Sequence, residues 1–219
     1  MSYFRETLDS LRPYEPGEQP ASAETVIKLN TNENPYPASP RAMALLRTID
    51  EEHLRRYPTP YADDFRVAAA EMLGFNQDWI LVSNGSDDIL TMLIRAVSDT
   101  TRPVAYPTPT YALYRTLAQL QNAPVVEVRF DETYTLPVDA LAESGAALTL
   151  VASPNSPSGN RMPNDAMSTL ATRLNGLLII DEAYADFASD NALELTRRHD
   201  NVVVLRTLSK GYSLAGLRL

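Results

Sequence analysis

The chain has 219 residues, of which 44% are hydrophobic and 21% are charged. That composition is typical of a globular protein and excludes a disordered or fibrous chain. Its formal net charge is -9 at pH 7. Nucleic-acid binding and attachment to an anionic membrane both need clustered Lys and Arg, so the acidic balance argues against either partner.

Targeting, membrane and metal patterns are missing from the sequence. The amino terminus is charged where a signal peptide needs an apolar core, and apolar runs such as residues 176–180 are too short to span a bilayer. We therefore expect a cytoplasmic protein. There are no cysteines, and His53 and His199 are far apart, so no metal site is predicted. Only Lys28 and Lys210 are lysines, which leaves two candidates for lysine chemistry.

The order of predicted elements indicates the fold class. Residues 1–45 are rich in proline and polar residues, which predicts an extended arm. Beyond it, short β-rich runs alternate with longer amphipathic runs, which is typical of an α/β fold with a mainly parallel sheet covered by helices on both faces. Strands are predicted at residues 80–82, 104–106, 125–128, 148–152, 177–180 and 202–205. Helices are predicted at residues 40–49, 62–73, 87–98, 111–121, 164–174 and 192–199.

Ligands of open parallel sheets bind where the strands end, so the strand exits are the candidate sites. After strand 80–82, the backbone N–H groups of Gly85, Ser86 and Asp87 and the Ser86 hydroxyl can bind a phosphate at a helix N-terminus. Alternatively, Ser86 is an ordinary N-cap of a helix with an acidic first turn. The glycines form neither GxGxxG nor a P-loop, which excludes those two kinds of nucleotide site.

Two further exits carry an aromatic ring and an amide. Tyr111 follows a proline-rich loop and can stack on a planar ligand, although Tyr111 and Tyr114 can equally be half-buried helix residues with solvated hydroxyls. Asn155 follows strand 148–152, where its amide can bind a ligand oxygen or close an Asx turn.

Asp181 stands at the end of strand 177–180, directly after four apolar residues. A carboxylate in that position is costly to bury unless a cation meets it, and a protonated ring nitrogen is such a cation. Tyr184 is three residues further on and can reach the same ligand. The alternative is that Asp181 caps the following helix.

The last exit contains the run SKGYSLAGLR at residues 209–218. It resembles the lysine signature of class I/II aminotransferases, in which the Schiff-base lysine precedes an arginine by eight residues; here these are Lys210 and Arg218. A surface lysine is the alternative. The segments LRPYEPG, KLNTNENPYP, RRYP, SNGSDD and SPNSPSG are similar to those of the histidinol-phosphate branch of that family.

The resemblance runs from about Leu11 to the last residue and implies a pyridoxal-phosphate-dependent transferase of fold type I. Residues 1–45 would be an arm and part of a small domain, and residues 46–219 an incomplete large domain. Related enzymes continue beyond Leu219 with a small domain that supplies a carboxylate-binding arginine. We therefore expect these 219 residues alone to be inactive and prone to associate.

The resemblance also implies roles for single residues. Lys210 would form the aldimine with pyridoxal 5'-phosphate, Asp181 would pair with its ring nitrogen, and Tyr111 would stack on the ring. Asn155 and Tyr184 would bind its 3-oxygen. The residues implied to hold its phosphate are Gly85, Ser86, Asp87, Thr207, Ser209 and Arg218.

Three residues are implied to act outside that set. Tyr57 would reach the cofactor phosphate of a neighbouring subunit, which implies a homodimer. Tyr14 and Asn32 would lie near the substrate. The implied reaction transfers an amino group between histidinol phosphate and 2-oxoglutarate, as in histidine biosynthesis. A related decarboxylase acting on threonine phosphate and a non-catalytic remnant are the alternatives.

Overall fold

A computed structural model of the chain describes residues 3, 5–8 and 27–219. The strands form one parallel sheet in the order β2-β1-β3-β4-β5. The predictions at residues 148–152 and 202–205 are confirmed with the same bounds, and three other strands with ends one or two residues longer. The strands are β1 (Val104–Thr108), β2 (Val125–Arg129), β3 (Leu148–Ala152), β4 (Leu177–Asp181) and β5 (Val202–Leu205).

The helices confirm most of the predicted pattern. They are α1 (Pro40–Leu46), α2 (Glu51–Arg55), α3 (Asp63–Leu73), α4 (Ser86–Val97), α5 (Leu113–Leu120), α6 (Val138–Ala142), α7 (Asn164–Arg173) and α8 (Leu195–Arg198). The α2 and α6 helices were not predicted, because five residues are too few to show a helical period. No helix of the described residues is long and apolar enough to cross a membrane.

Helices cover both faces of the sheet, as predicted. On one face, Leu90 of α4 and Leu117 of α5 pack against strand residues such as Leu150. On the other face, Leu170 of α7 and Leu141 of α6 pack against strand residues such as Val151. Neighbouring residues of β3 thus belong to opposite cores, which is the alternation that a doubly covered strand requires.

The prediction of a strand at residues 80–82 is wrong. No described strand pairs with this segment; Leu81 is 66% exposed, and the carbonyl of Ile80 accepts a hydrogen bond from Arg66 Nε at 2.9 Å. A strand needs a partner for its N–H and C=O groups, which a local pattern cannot supply. An apolar cleft of about 480 Å³ separates the segment from β5.

The predicted helix at residues 192–199 is also wrong in extent, because only Leu195–Arg198 is helical. Its first residues are held differently: the Ala192 N–H donates to the buried carboxylate of Glu182 at 2.5 Å. That contact ties the backbone to the end of β4 and leaves a single short helix before β5.

In the sheet, β2 lies on one side of β1, and β3, β4 and β5 follow on the other side. The chain therefore changes the direction in which it adds strands after β2. Connections that diverge in this way leave a crevice at the carboxyl edge of the sheet. The register places Ala152 opposite Asp181, and Asp181 opposite Leu205. The residues that follow β3, β4 and β5 are therefore brought to one edge.

Candidate active site

A cavity of about 150 Å³ lies at the carboxyl edge of the sheet. The larger cleft beside β5 has neither Asp181 nor Lys210 in its walls, so the smaller cavity holds the candidate chemistry. Nine residues predicted to act on the cofactor line it: Ser86, Asp87, Tyr111, Asp181, Tyr184, Thr207, Ser209, Lys210 and Arg218.

One end of the cavity has the features of an anion site. Gly85, at φ 81°, precedes the first residue of α4, Ser86, so the structure does not support the interpretation of Ser86 as N-cap. A Cβ atom on Gly85 would lie 3.0 Å from Arg218 Nη2, so the glycine lets the guanidinium approach. Thr207 Oγ1 donates to Ser209 Oγ at 3.0 Å nearby. Helix N–H groups, a guanidinium and two hydroxyls together favour a phosphate.

Asp181 is buried in the middle of the site. Its Oδ2 accepts a hydrogen bond from the Tyr114 hydroxyl at 2.7 Å, and its Oδ1 accepts from the Ala183 N–H at 3.1 Å. Burial raises the pKa of Asp181, and these two hydrogen bonds oppose the rise. No Lys, Arg or His of the described residues forms an ion pair with it. A cationic ligand atom would supply the missing partner.

Tyr111 and Asp87 face each other beside Asp181. The Tyr111 hydroxyl donates to Asp87 Oδ1 at 3.3 Å, so the Asp87 carboxylate points toward the phenol. The negative charge of Asp87 adds to the rise in the pKa of Asp181. Tyr111 also contacts the ring of Tyr114 edge to face, with centroids 5.6 Å apart.

Lys210 contacts the segment at residues 31–34, close to the start of the described range 27–219. Its Nζ donates to the carbonyl of Thr31 at 3.0 Å and lies 5.6 Å from the Tyr184 ring centroid. Asn34 Nδ2 donates to the carbonyl of Lys210 at 3.2 Å, and Asn32 Nδ2 donates to the Tyr184 hydroxyl at 2.9 Å. Residues 31–34 therefore cover the lysine and tyrosine.

The second lysine is placed differently. Lys28 Nζ pairs with Glu33 at 2.9 Å and does not line the cavity. Only one of the two lysines can therefore reach a ligand in the cavity.

Gly211, which follows Lys210, contacts Asp186 so closely that a Cβ atom there would lie 2.4 Å from Asp186 Oδ2.

Four predicted residues of the described chain are not in the cavity wall: Gly85, Asn32, Asn155 and Tyr57. Asn155 is buried, but its Nδ2 donates to the Pro109 carbonyl and the Ser158 hydroxyl, while its Oδ1 accepts from Thr110. These contacts favour the alternative that Asn155 shapes the loop. Tyr57 is fully exposed and does not line the cavity. Tyr14 lies outside the described residues.

Sequence reasoning missed the part played by Tyr114. The interpretation of a half-buried ring with a solvated hydroxyl is wrong, because Tyr114 is completely buried and its hydroxyl contacts Asp181. A signal was present: residues 114, 117 and 118 have helical spacing and form the buried stripe of α5. The stripe predicts burial, but it does not reveal which carboxylate the hydroxyl meets.

The site and the sheet have the features of one protein family, and a comparison of the sequence with family models finds the same family. The chain belongs to the family of aminotransferase class I and II, whose model matches residues 24–219. The whole described sheet and the nine predicted residues that line the cavity fall within that range.

Individual relatives are more specific. Histidinol-phosphate aminotransferase 1 of Trichormus variabilis is 54% identical over 218 residues, covering 100% of this chain and 62% of the relative. Histidinol-phosphate aminotransferase of Rhodopirellula baltica is 44% identical, covering 98% and 60%. The chain thus spans about three fifths of the length of these curated relatives.

Solved structures show the same fold. Histidinol-phosphate aminotransferase of Sinorhizobium meliloti, in complex with pyridoxal-5'-phosphate, has a TM-score of 0.85 and 25% identity, covering 100% of this chain and 62% of that one. An aspartate aminotransferase variant of Thermus thermophilus has a TM-score of 0.84 and 17% identity, covering 100% and 61%. The fold is that of type I pyridoxal-phosphate-dependent aminotransferases.

The buried charge of Asp181 makes a testable stability prediction for the cofactor-free chain. The pKa of Asp181 in the folded state lies above its ordinary value of 3.8, so ionisation destabilises the fold as the pH rises from 3.8 through the folded pKa. We expect Asp181→Asn to raise the urea midpoint at pH 8, and to raise it less at pH 4, close to the ordinary pKa of the carboxyl group. A gain that is equal at both pH values, or a loss at pH 8, would contradict this account.

Proposed function

We propose that the protein is a pyridoxal-phosphate-dependent aminotransferase that transfers an amino group between histidinol phosphate and 2-oxoglutarate in histidine biosynthesis. One observation carries the proposal: Lys210, the start of α4 and the buried carboxylate of Asp181 line a single cavity, and no described cation pairs with that carboxylate. Those three features match the aldehyde, the ring nitrogen and the phosphate of one small molecule.

The residues of the cavity fit this cofactor. Arg218 and the first N–H groups of α4 would hold the phosphate, with the hydroxyls of Thr207 and Ser209. Asp181 would hold the ring nitrogen protonated, because an ion pair offsets the cost of its burial. When bound, pyridoxal phosphate supplies an electron sink for the negative charge that develops at the substrate α-carbon.

The chemistry left to the chain is proton transfer and positioning. Lys210 would bind the cofactor covalently and, when released by the amino donor, its Nζ would move the proton from the α-carbon. Its present contact with the Thr31 carbonyl must then break. The Tyr111 ring would cover one face of the cofactor ring, and the Tyr184 hydroxyl, held by Asn32, would donate to its 3-oxygen.

The proposal extends to the substrate and to a second subunit. The 54% identity with a histidinol-phosphate aminotransferase supports the substrate. Asn32, which we propose lies near the substrate, donates to the Tyr184 hydroxyl beside the cavity. We also propose a homodimer in which Tyr57, fully exposed here beside the exposed Leu54 and Tyr61, reaches the partner's cofactor phosphate.

The identity of the lysine tests the proposal directly. Incubation with pyridoxal phosphate and reduction with borohydride should label Lys210, because it lines the cavity, and not Lys28, which pairs with Glu33. Peptide mapping by mass spectrometry reads the result. Lys28→Met should label normally and Lys210→Met should not. A label on Lys28, or on neither lysine, would remove the central claim.

The role of Asp181 can be tested in the natural full-length protein. Asp181→Asn should retain cofactor but lose roughly two to three powers of ten in transaminase turnover, since an amide does not stabilise a cationic ring. Glu182→Gln is the matched control: Glu182 is also buried, but it pairs with Arg206 at 2.8 Å and does not line the cavity. Near-normal turnover of Asp181→Asn would mean that the carboxylate serves the fold only.

We further propose that the 219-residue chain alone turns over poorly. Two features support this. Residues 80–82 pair with no described strand, and an apolar cleft lies beside β5. Open strand edges and exposed apolar surfaces tend to bind other chains. Residues 1–219 and the full-length histidinol-phosphate aminotransferase 1 of Trichormus variabilis can be purified side by side and compared for oligomer size, cofactor absorbance and transamination of histidinol phosphate. Equal turnover of the two proteins would refute the proposal.

A further inference from the structure

Tyr114 is the largest of the fully buried side chains, and it lies on α5 behind the cavity wall rather than in it. Its ring belongs to the apolar core that α4 and α5 form against the sheet, with Leu90 and Leu150 among the members. A phenol hydroxyl in such a core is costly unless it finds a partner. The partner here is Asp181 Oδ2, at 2.7 Å.

The hydrogen bond fixes one oxygen of Asp181 from a residue that does not line the cavity. The other oxygen accepts from the Ala183 N–H at 3.1 Å, so the plane of the carboxylate is held by two donors on two different elements, α5 and the turn after β4. A carboxylate held by neutral donors keeps its charge and its orientation in a site that water does not reach.

The ring of Tyr114 makes a second contact with the site. It meets the Tyr111 ring edge to face, at 84° and 5.6 Å between centroids. Edge-to-face pairs are specific in geometry and stabilise beyond their buried area. Tyr114 thus touches both the carboxylate and the aromatic ring that are proposed to hold the cofactor ring.

We propose that Tyr114 is a positioning residue for the cofactor ring, acting through Asp181 by its hydroxyl and through Tyr111 by its ring edge. The proposal rests on the proposed function, since it assumes that a cationic ring occupies the cavity. The two contacts have different chemistry and can be removed separately: Tyr114→Phe removes the hydroxyl and leaves the ring in place.

The direction of the pKa shifts agrees with this role. Burial and the charge of Asp87 raise the pKa of Asp181, whereas the Tyr114 hydroxyl lowers it. The pKa of Tyr114 itself is raised well above its ordinary value, first by burial and then by Asp181, so the phenol stays protonated and remains a donor. Loss of the hydroxyl leaves the carboxylate with one donor and a charge that is harder to keep.

A neighbouring tyrosine provides a matched control. Tyr106 of β1 is also buried in the same core, contacts the Tyr114 ring at 5.8 Å, and donates its hydroxyl to Glu127 at 2.8 Å. Neither Tyr106 nor Glu127 lines the cavity. Tyr106→Phe therefore removes a hydroxyl–carboxylate bond of the same kind without touching Asp181.

The test measures the affinity of the natural full-length protein for pyridoxal phosphate by titration of the cofactor-free form, together with the absorbance maximum of the bound cofactor. Tyr114→Phe should weaken cofactor binding by roughly tenfold or more, the value of a hydrogen bond to a charged group, and should shift the maximum. Tyr106→Phe should leave both unchanged. In kinetics, kcat should fall while KM for the amino donor changes little.

A double-mutant cycle separates positioning from general stability. If Tyr114 acts through Asp181, Tyr114→Phe should have little further effect on cofactor affinity in an Asp181→Asn background. Equal effects of Tyr114→Phe and Tyr106→Phe, or full additivity in the cycle, would overturn the inference while the proposed function stands. A wild-type protein that does not bind the cofactor would overturn both.

Discussion

The Asp181 carboxylate is kept from water at the end of β4 with two neutral donors and no cation among the described residues that pairs with it. The arrangement is unfavourable by itself, because burial disfavours the charged form. A positive charge bound beside this carboxylate would offset part of that cost. In the function that we propose, the other walls of the cavity would hold an anion at one end and an aldehyde at Lys210.

The topology of the sheet brings these groups together. Three successive parallel strands, β3, β4 and β5, end in register, and the residues after them enter one crevice where the connections diverge. Residues 80–82 pair with no described strand, and α4, which follows them, lines the cavity with Ser86 and Asp87. The arrangement of the cavity therefore depends on the strands for alignment and on the start of one helix for free N–H donors.

Much of this could be predicted from the sequence, and the exceptions share a cause. The bounds of β3 and β5 follow from local apolar runs, and Asp181 follows from its place at a strand end, whereas Lys210 follows from the resemblance of residues 209–218 to a family signature. Residues 80–82 have the same kind of apolar pattern but pair with none of the described strands, and pairing is not a local property. The Tyr114 contact joins residues 67 positions apart. The loop contacts of Asn155 were equally invisible, because its amide has several partners within reach.

The bond between Lys210 and the Thr31 carbonyl joins positions 179 residues apart in the chain. Contacts of such long range form slowly, because the loop between them must be ordered before they stabilise anything. During synthesis Thr31 emerges long before Lys210, and all five strands of the sheet lie between them in the chain. The contact that covers Lys210 can therefore form only after the residues of the whole sheet have been made, and a chain interrupted before that point lacks it.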